Sequence, residues 1–421
     1  MSHLEAFDVL APNFIANPYP FYEHLHQSDC IYQDTVTSAF FVGKYDDVKQ
    51  ILTDPVFTTE PLSERAQPVM GGRVLAQMEG AEHANKRRAV LHGLSGRYFK
   101  EKYQSLISEV THNLLQPFLE KGEIDLVTDF GKDYAVLVTL GVLGLPTNNY
   151  RQIAEWHTGV ANFITQLDQS EEDREHSLQC SQKLRHFLLP IVEDRRADPG
   201  DDLISLLCLS DQDNVMSSSE IIALCLNILL AATEPADKTL AMLFKCLLDN
   251  PMTFKQVQAD RKLIRAAIEE TLRLHSPVQL IPRQASIEIE VSGVLIKKGS
   301  LVFNMIGAAN RDPNIFEEPN VFKLDRKKHT QGKGAIKKHH LAFGTGMHIC
   351  LGAEFSIRQI EITTNVLLDL LNNMHMPSDF HYIERGLYTR GPESLKLQFN
   401  SSITSEKNNC SSPSVMREVV I

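Results

Sequence analysis

The feature that most restricts the fold is the run from Ser217 to Asp249, thirty-odd residues of helical apolar pattern with no glycine in it. It opens on Ser217-x-x-Glu220, the spacing of a capping box, and closes at Asn250-Pro251. At about 1.5 Å per residue such a helix is about 50 Å long, enough to cross a whole domain. A chain that contains it must build its core around it. The helix nonetheless carries Glu234 and Pro235 side by side in "LLAATEPADKTLA". Proline removes one helical hydrogen bond and crowds the preceding turn, at a cost of about 3 kcal/mol. A carboxylate inside a core is a second cost unless something uses it. The pair therefore predicts a bend with an acid at it, where the helix passes a functional site. By helix arithmetic Pro235 also frees the carbonyl of Ala231, four residues earlier.

The remaining pattern is mainly helical, with segments expected at about 83–117, 132–145, 149–167, 177–195, 201–208 and 260–275. Residues 40–52 read as a strand running into a helix, and 286–303 as a small hairpin-rich sheet around Gly293 and Gly299. No linker or internal repeat divides the 421 residues, so one large, mainly α domain with small β-sheets is expected over 1–400. Residues 401–421 form a polar tail. The N-terminal residues hold no apolar run long enough for a signal peptide or membrane anchor, which points to a cytoplasmic protein with no membrane partner. A net charge of −11 argues against nucleic acid, whose phosphates need a basic face. The cysteines at 30, 180, 208, 225, 246, 350 and 410 are scattered, without CxxC or CxxH spacing, so neither a disulfide framework nor a zinc site is expected.

One cysteine stands apart. In "HLAFGTGMHICLGAEFSIR" (340–358), Gly344 and Gly346 permit an irregular turn, and Cys350 sits just before a helical pattern. A thiol at a helix N-terminus has its thiolate stabilised by backbone N–H groups. Hydrogen bonds to sulfur tune a metal ligand of that kind. Gly352 leaves room for something flat to approach. The full Phe343-Gly344-x-Gly-x-His348-x-Cys350-x-Gly352 pattern resembles the haem-thiolate monooxygenases of the cytochrome P450 superfamily, in their bacterial branch.

Other stretches support that resemblance in the expected order. Glu270-x-x-Arg273 and the segment ending in Arg326 match the family's structural cluster, which holds the cysteine loop. His83 and Arg87 in "EHANKRR", Arg283 in "PVQLIPRQ" and His348 match its propionate partners. The resemblance implies the cytochrome P450 fold, haem b with Cys350 as axial iron ligand, and dioxygen as co-substrate. No dinucleotide fingerprint follows a strand, so NAD(P)H electrons are expected to arrive through separate redox proteins. The segment "RKKHTQGKGAIKKHH" (326–340) holds six Lys/Arg and no acid, and is expected to dock an acidic ferredoxin or flavodoxin.

In the family the long helix passes the oxygen site and carries an acid followed by an alcohol. Here the acid is Glu234 and proline takes the alcohol's place, so the usual proton relay is incomplete. Peroxide-using fatty-acid hydroxylases also have proline there, preceded by an arginine. Glu234 fills that arginine's position and would repel a carboxylate. The stretches 64–78, 229–241, 277–284, 305–313 and 386–395 look closest to family members that oxidise the cyclic dipeptide cyclo(Leu-Leu) to an aromatic, N-hydroxylated, iron-chelating ring. Expected pocket walls are Met70, Met78, Leu230, Val278, Leu280 and Tyr388, with Ala231, Glu234 and Pro235 at the reacting centre. Another diketopiperazine, a fatty acid, a terpenoid, or a haem sensor without turnover stay open as alternatives.

Overall fold

The long helix forms where its capping box predicts. In the computed structural model, which describes residues 9, 11–27, 31–35, 37–166, 169–209, 216–326 and 340–402, the Ser217 hydroxyl accepts from the Glu220 amide (3.3 Å). The Glu220 carboxylate returns the bond to the Ser217 amide (2.8 Å). Ten helices carry the argument: α1 Tyr45–Thr53, α2 Glu60–Met70, α3 Gly80–Leu94, α4 Gln104–Leu119, α5 Lys132–Leu143, α6 Tyr150–Thr165, α7 Glu171–Ala197, α8 Ser218–Asp249, α9 Ile264–Leu274 and α10 Ala353–Leu370. By length and composition α8 could cross a membrane. It is instead the axle of the core, packed on α5, α6, α7, α9 and α10, and eighteen of its thirty-two residues are buried. A helix that is apolar on most faces is stable in water only in such a setting.

The segment 83–117 is not one helix as its periodicity suggested. α3 ends at Leu94, Ser95 is extended, Gly96 takes a φ of +57°, and a π-helical turn over Phe99–Tyr103 leads into α4. Gly96 adopts that backbone at no steric cost, so the Ser-Gly pair overrides the apolar pattern around it.

The largest sheet among the described residues has five strands. β1 (Tyr32–Gln33), β2 (Phe40–Val42), β3 (Phe57–Thr58), β4 (Leu280–Ala285) and β5 (Leu301–Met305) form one sheet in the order β1-β2-β5-β4-β3. β2 and β5 run parallel and the other pairs antiparallel. The expected hairpin appears as Ile289–Val291 against Val294–Ile296. A three-stranded sheet joins Glu123–Asp125, Lys396–Ser401 and Leu371–His375. Residues from 403 onward lie outside the described residues.

α8 runs through Pro235 as a single helix. The Pro235 carbonyl accepts the Thr239 hydroxyl at 2.6 Å. Lys238 Nζ donates to Glu234 Oε2 (2.7 Å) and to the Glu234 carbonyl (3.1 Å), and stands 3.7 Å from Asp237 Oδ1. Two acids thus share one ammonium, and Glu234 holds it more closely. Burial, and the Glu234 charge, push the buried Asp237 carboxyl up to about 6 from 3.8, although Lys238 acts the other way. The native state binds this proton more tightly than the unfolded chain, so the group costs stability as pH rises from about 4 to about 6, and the cost stays above that. Asp237→Asn is therefore expected to stabilise the protein at neutral pH by up to about 3 kcal/mol and to flatten the pH dependence across that window. Urea denaturation at pH 4, 5, 6 and 7 measures both. A variant less stable than the parent at pH 7 would contradict the account.

Candidate active site around Cys350

Three hydrogen bonds donated by backbone amides, one of them to a side chain, fold residues 341–350 into a loop. The Leu341 amide donates to Asn310 Oδ1 (2.6 Å), the Gly344 amide to the Leu341 carbonyl (2.8 Å), and the Cys350 amide to the Phe343 carbonyl (2.8 Å). Gly346 takes a φ of +75°. A Cβ there would stand 3.1 Å from the Leu52 carbonyl oxygen and from Thr53 Cγ2, at the end of α1. This glycine is needed both for its backbone angle and for the close approach. Gly352 then caps α10. Cys350 presents its side chain to a cavity while the surrounding protein desolvates it. Burial pushes the thiol up, whereas the Gly352 amide, hydrogen-bonded to sulfur, and the Arg87 charge pull it down.

α8 supplies the facing wall of the cavity through Ala231, Ala232, Pro235, Ala236 and Thr239. Thr59 and Leu62 at the start of α2 border it, with Val278, Ile281, Arg283 and Tyr388 on a third side. At one end a group of cationic or ionisable side chains converges. The His83 and His348 rings meet edge to face, with centroids 5.0 Å apart. His348 is pushed down to about 4 by burial, then by the Arg283, His83 and Arg87 side chains. Arg283 is buried and held down to about 10 by burial. Its guanidinium donates to the Pro282 carbonyl (2.9 Å). Among the described residues no carboxylate pairs with any of the four. Such a concentration of donors, His83 and Arg283 buried and Arg87 and His348 half-buried, is costly unless an anion answers it.

A second network holds the loop from behind. Arg273 grips Glu270 with two bonds (2.9 and 2.8 Å), and Arg326 Nε adds a third at 2.7 Å. Arg273 Nη1 also donates to the carbonyl of Asn310 (2.9 Å), whose side chain holds Leu341. The triad read from the sequence forms, and it reaches the cysteine loop through one asparagine.

The model of the family described as Cytochrome P450 matches residues 156–376. The chain is 48% identical over 404 residues to pulcherriminic acid synthase of Bacillus subtilis (strain 168), covering 95% of this chain and 99% of that one. The chain belongs to the cytochrome P450 family. It is 28% identical to the biotin biosynthesis cytochrome P450 of the same strain, over 94% of this chain and 99% of the relative. Among solved structures, P450BioI bound to an acyl carrier protein ligated with hexadec-9Z-enoic acid superposes with a TM-score of 0.83 at 26% identity, over 92% and 100% of the two chains. A Bacillus megaterium P450 in complex with corticosterone gives 0.81 at 26%, over 92% and 100%.

This P450 is accordingly a monooxygenase that works with cysteine-ligated haem, dioxygen and reducing equivalents from redox partners. Its residues fit that group. A sulfur faces the cavity, four side chains of a kind that can bind carboxylates converge at one end of it, the α8 wall is lined mainly by small residues, and a Cβ at Gly352 would meet nothing within 4 Å. Phe343, Gly344, His348, Cys350 and Arg283 line the cavity, as do Ala231 and Pro235. His83 joins through His348, and Arg87 through its charge.

The structure places other expected residues elsewhere. Glu234 does not line the cavity: it turns to Lys238, four residues on. Of the six expected pocket walls, Val278 and Tyr388 line the cavity, while Met70, Met78, Leu230 and Leu280 do not. β4 explains Leu280, because Ile281 and Arg283 face the cavity and the alternate residue Leu280 packs into a separate cluster with Phe21 and Phe41. Leu230 lies off the Ala231–Pro235–Thr239 face of α8 and packs on the main core. Met70 and Met78 are fully buried core residues. Thr59, Ala232, Ala236, Ile281 and Thr239 were missed. Only the run of small residues on α8 signalled any of them in the sequence. The basic segment, including Lys337 and Lys338, lies outside the described residues over 327–339.

Proposed function

We propose that this P450 oxidises a cyclic dipeptide, cyclo(Leu-Leu), to an aromatised N-hydroxylated ring, with electrons from a ferredoxin or flavodoxin. Cys350 would ligate the iron, and His83, Arg87, Arg283 and His348 would hold the propionates; the haem bound there supplies oxygen activation. The observation that carries the reading is Pro235 lining the cavity beside Ala231. Without a proline N–H, the Ala231 carbonyl lacks its helical donor and can accept from a ring N–H. The 48% identity to pulcherriminic acid synthase, over 99% of that protein's length, supports the same substrate class. Two isobutyl groups suit the alanine, leucine, valine and isoleucine side chains of the walls.

The relay acid works differently here. Glu234 is held by Lys238, which, with the more distant Lys132 charge, keeps its carboxyl below the usual carboxylate value despite burial. The Thr239 hydroxyl, one turn beyond Pro235, lines the cavity. Its proton is committed to the Pro235 carbonyl, leaving its oxygen free to accept. A substrate N–H, or a water that the substrate orders, would then take the missing alcohol's part as proton source.

Turnover of cyclo(Leu-Leu) with dioxygen, NAD(P)H and a surrogate ferredoxin system, with products identified by mass, tests the proposal. A screen of cyclic dipeptides that left the Soret band unmoved would count against it. Pro235→Thr restores an N–H to the helix and closes the Ala231 carbonyl. It is expected to weaken binding of cyclo(Leu-Leu) by about threefold to tenfold, one hydrogen bond's worth. If the variant instead raised productive turnover without more peroxide release, proline would have no role in suiting this substrate.

A further inference from the structure

We infer that the Tyr388 hydroxyl is the donor that recognises a ring carbonyl of the substrate, so that it and the Ala231 carbonyl read the amide from two walls of the cavity. This rests on the cyclic-dipeptide reading above. The inference starts from an inventory of polar groups lining the cavity. Thr239 gives its proton to Pro235. Arg283 and His348 belong to the cationic end. Thr345 and Ser356 flank Cys350, on the cysteine loop and on α10. Two side-chain hydroxyls remain on the walls away from Cys350, those of Thr59 and Tyr388, and neither makes a hydrogen bond among the described residues. Thr59 heads α2 without capping it by its side chain.

Tyr388 is the better placed of the two, because its backbone is fixed. Its carbonyl accepts from the Gln279 amide (2.9 Å), Thr389 bridges to Val278, and the Arg390 amide donates to the Pro277 carbonyl (2.8 Å). Gly386 closes the turn at a φ of +111°, where a Cβ would run into the Thr389 carbonyl. The turn is therefore clamped to the same segment that carries Val278 and Ile281 into the cavity.

The surroundings of the phenol decide its role. Burial keeps it protonated, while the Arg65 and Arg283 charges draw on its oxygen. Arg65 is itself tied to the carbonyls of Ile164 and Gln166 at the end of α6, with no acid pairing it among the described residues. Guanidinium groups only donate. Among the described residues this phenol finds no protein acceptor for its own proton, and nearby positive charge makes that proton a stronger donor. An apolar substrate with no acceptor would leave it unsatisfied, at a cost in affinity. A diketopiperazine offers two carbonyls beside two N–H groups, and cyclo(Leu-Leu) presents the same face after a half turn of the ring.

The test is calorimetric titration of the holoenzyme with cyclo(Leu-Leu) and with its dithio analogue, whose sulfurs are weak acceptors, for the wild-type protein and Tyr388→Phe. Tyr388→Phe is expected to bind the parent compound about tenfold more weakly. The dithio analogue is expected to lose a similar factor on the wild type and much less on the variant. Changes at the ring N–H groups are common to both proteins and cancel in this cycle. Equal affinity of wild type and variant for cyclo(Leu-Leu), or losses that simply add, would overturn the role of Tyr388 while leaving the substrate reading intact. Failure of the wild type to bind cyclo(Leu-Leu) would overturn the substrate reading, and this inference with it. If Tyr388→Phe does not retain haem, the wild type alone decides, since equal binding of the oxo and dithio rings excludes a carbonyl-directed donor.

Discussion

Cys350→Ser is expected to remove the thiolate signature from the spectrum of the reduced, carbon-monoxide-treated protein and to lower turnover by about a thousandfold or more, about 4 kcal/mol in the barrier. Serine keeps the loop's size and backbone bonds, so the Gly344 and Cys350 amides still find the Leu341 and Phe343 carbonyls. What it removes is a soft anionic donor that pushes electron density onto iron. In the protein alone, burial holds the Cys350 thiol protonated, and bonding to a metal is what makes it a thiolate. The expected result is therefore a folded protein with altered ligation rather than an unfolded one. A Cys350→Ser variant that retained the thiolate spectrum would show that another residue binds the iron.

The second large effect lies away from the chemistry. Glu270→Ala deletes the one carboxylate shared by Arg273 and Arg326. Glu270 and Arg273 are 6% and 3% exposed, so one guanidinium is left buried and uncompensated. Breaking one side of such a pair costs about 3–5 kcal/mol, unlike an exposed pair, which contributes less than about 1 kcal/mol. Denaturant unfolding should show that loss, with an unchanged slope. Because Arg273 also holds the Asn310 carbonyl, the cysteine loop should loosen, and haem transfer to an acceptor protein should accelerate. A double change of Glu270 and Arg273 to methionine should cost less than the single one, since the more deeply buried charge leaves with the carboxylate, while Arg326 keeps the Glu317 and Glu318 carbonyls as partners. An undiminished denaturation midpoint in Glu270→Ala would reduce the cluster to a solvated surface pair.

How much of this was readable beforehand depended on whether a feature was local. The long helix and its start follow from Ser217 and Glu220, because a capping box satisfies amides within one turn. The cysteine loop and the Glu270 triad were legible through the family resemblance, since Arg326 lies 56 residues from Glu270 and no local spacing pairs them. The orientation of side chains was harder. Glu234 was read as facing the oxygen site, yet Lys238 stands four residues on, and that i, i+4 partner was visible in the sequence. Leu280 was read as a pocket wall, but strand alternation turns Ile281 and Arg283 inward instead, and nothing local says which set faces the cavity. Thr59 reaches the cavity because α2 packs against β4 and α6, a long-range arrangement that periodicity does not encode.

The anchoring of the cysteine loop bears on how this enzyme could diversify. Arg326 is pinned by Glu270 on one side of residues 327–339, and Leu341 is pinned by Asn310 on the other. Both pins belong to the one network centred on Arg273. Both flanks of the loop that carries Cys350 thus answer to a single buried arginine. A lineage that substitutes at Arg273 disturbs the sulfur from two directions at once, whereas changes that leave this network intact leave its position alone.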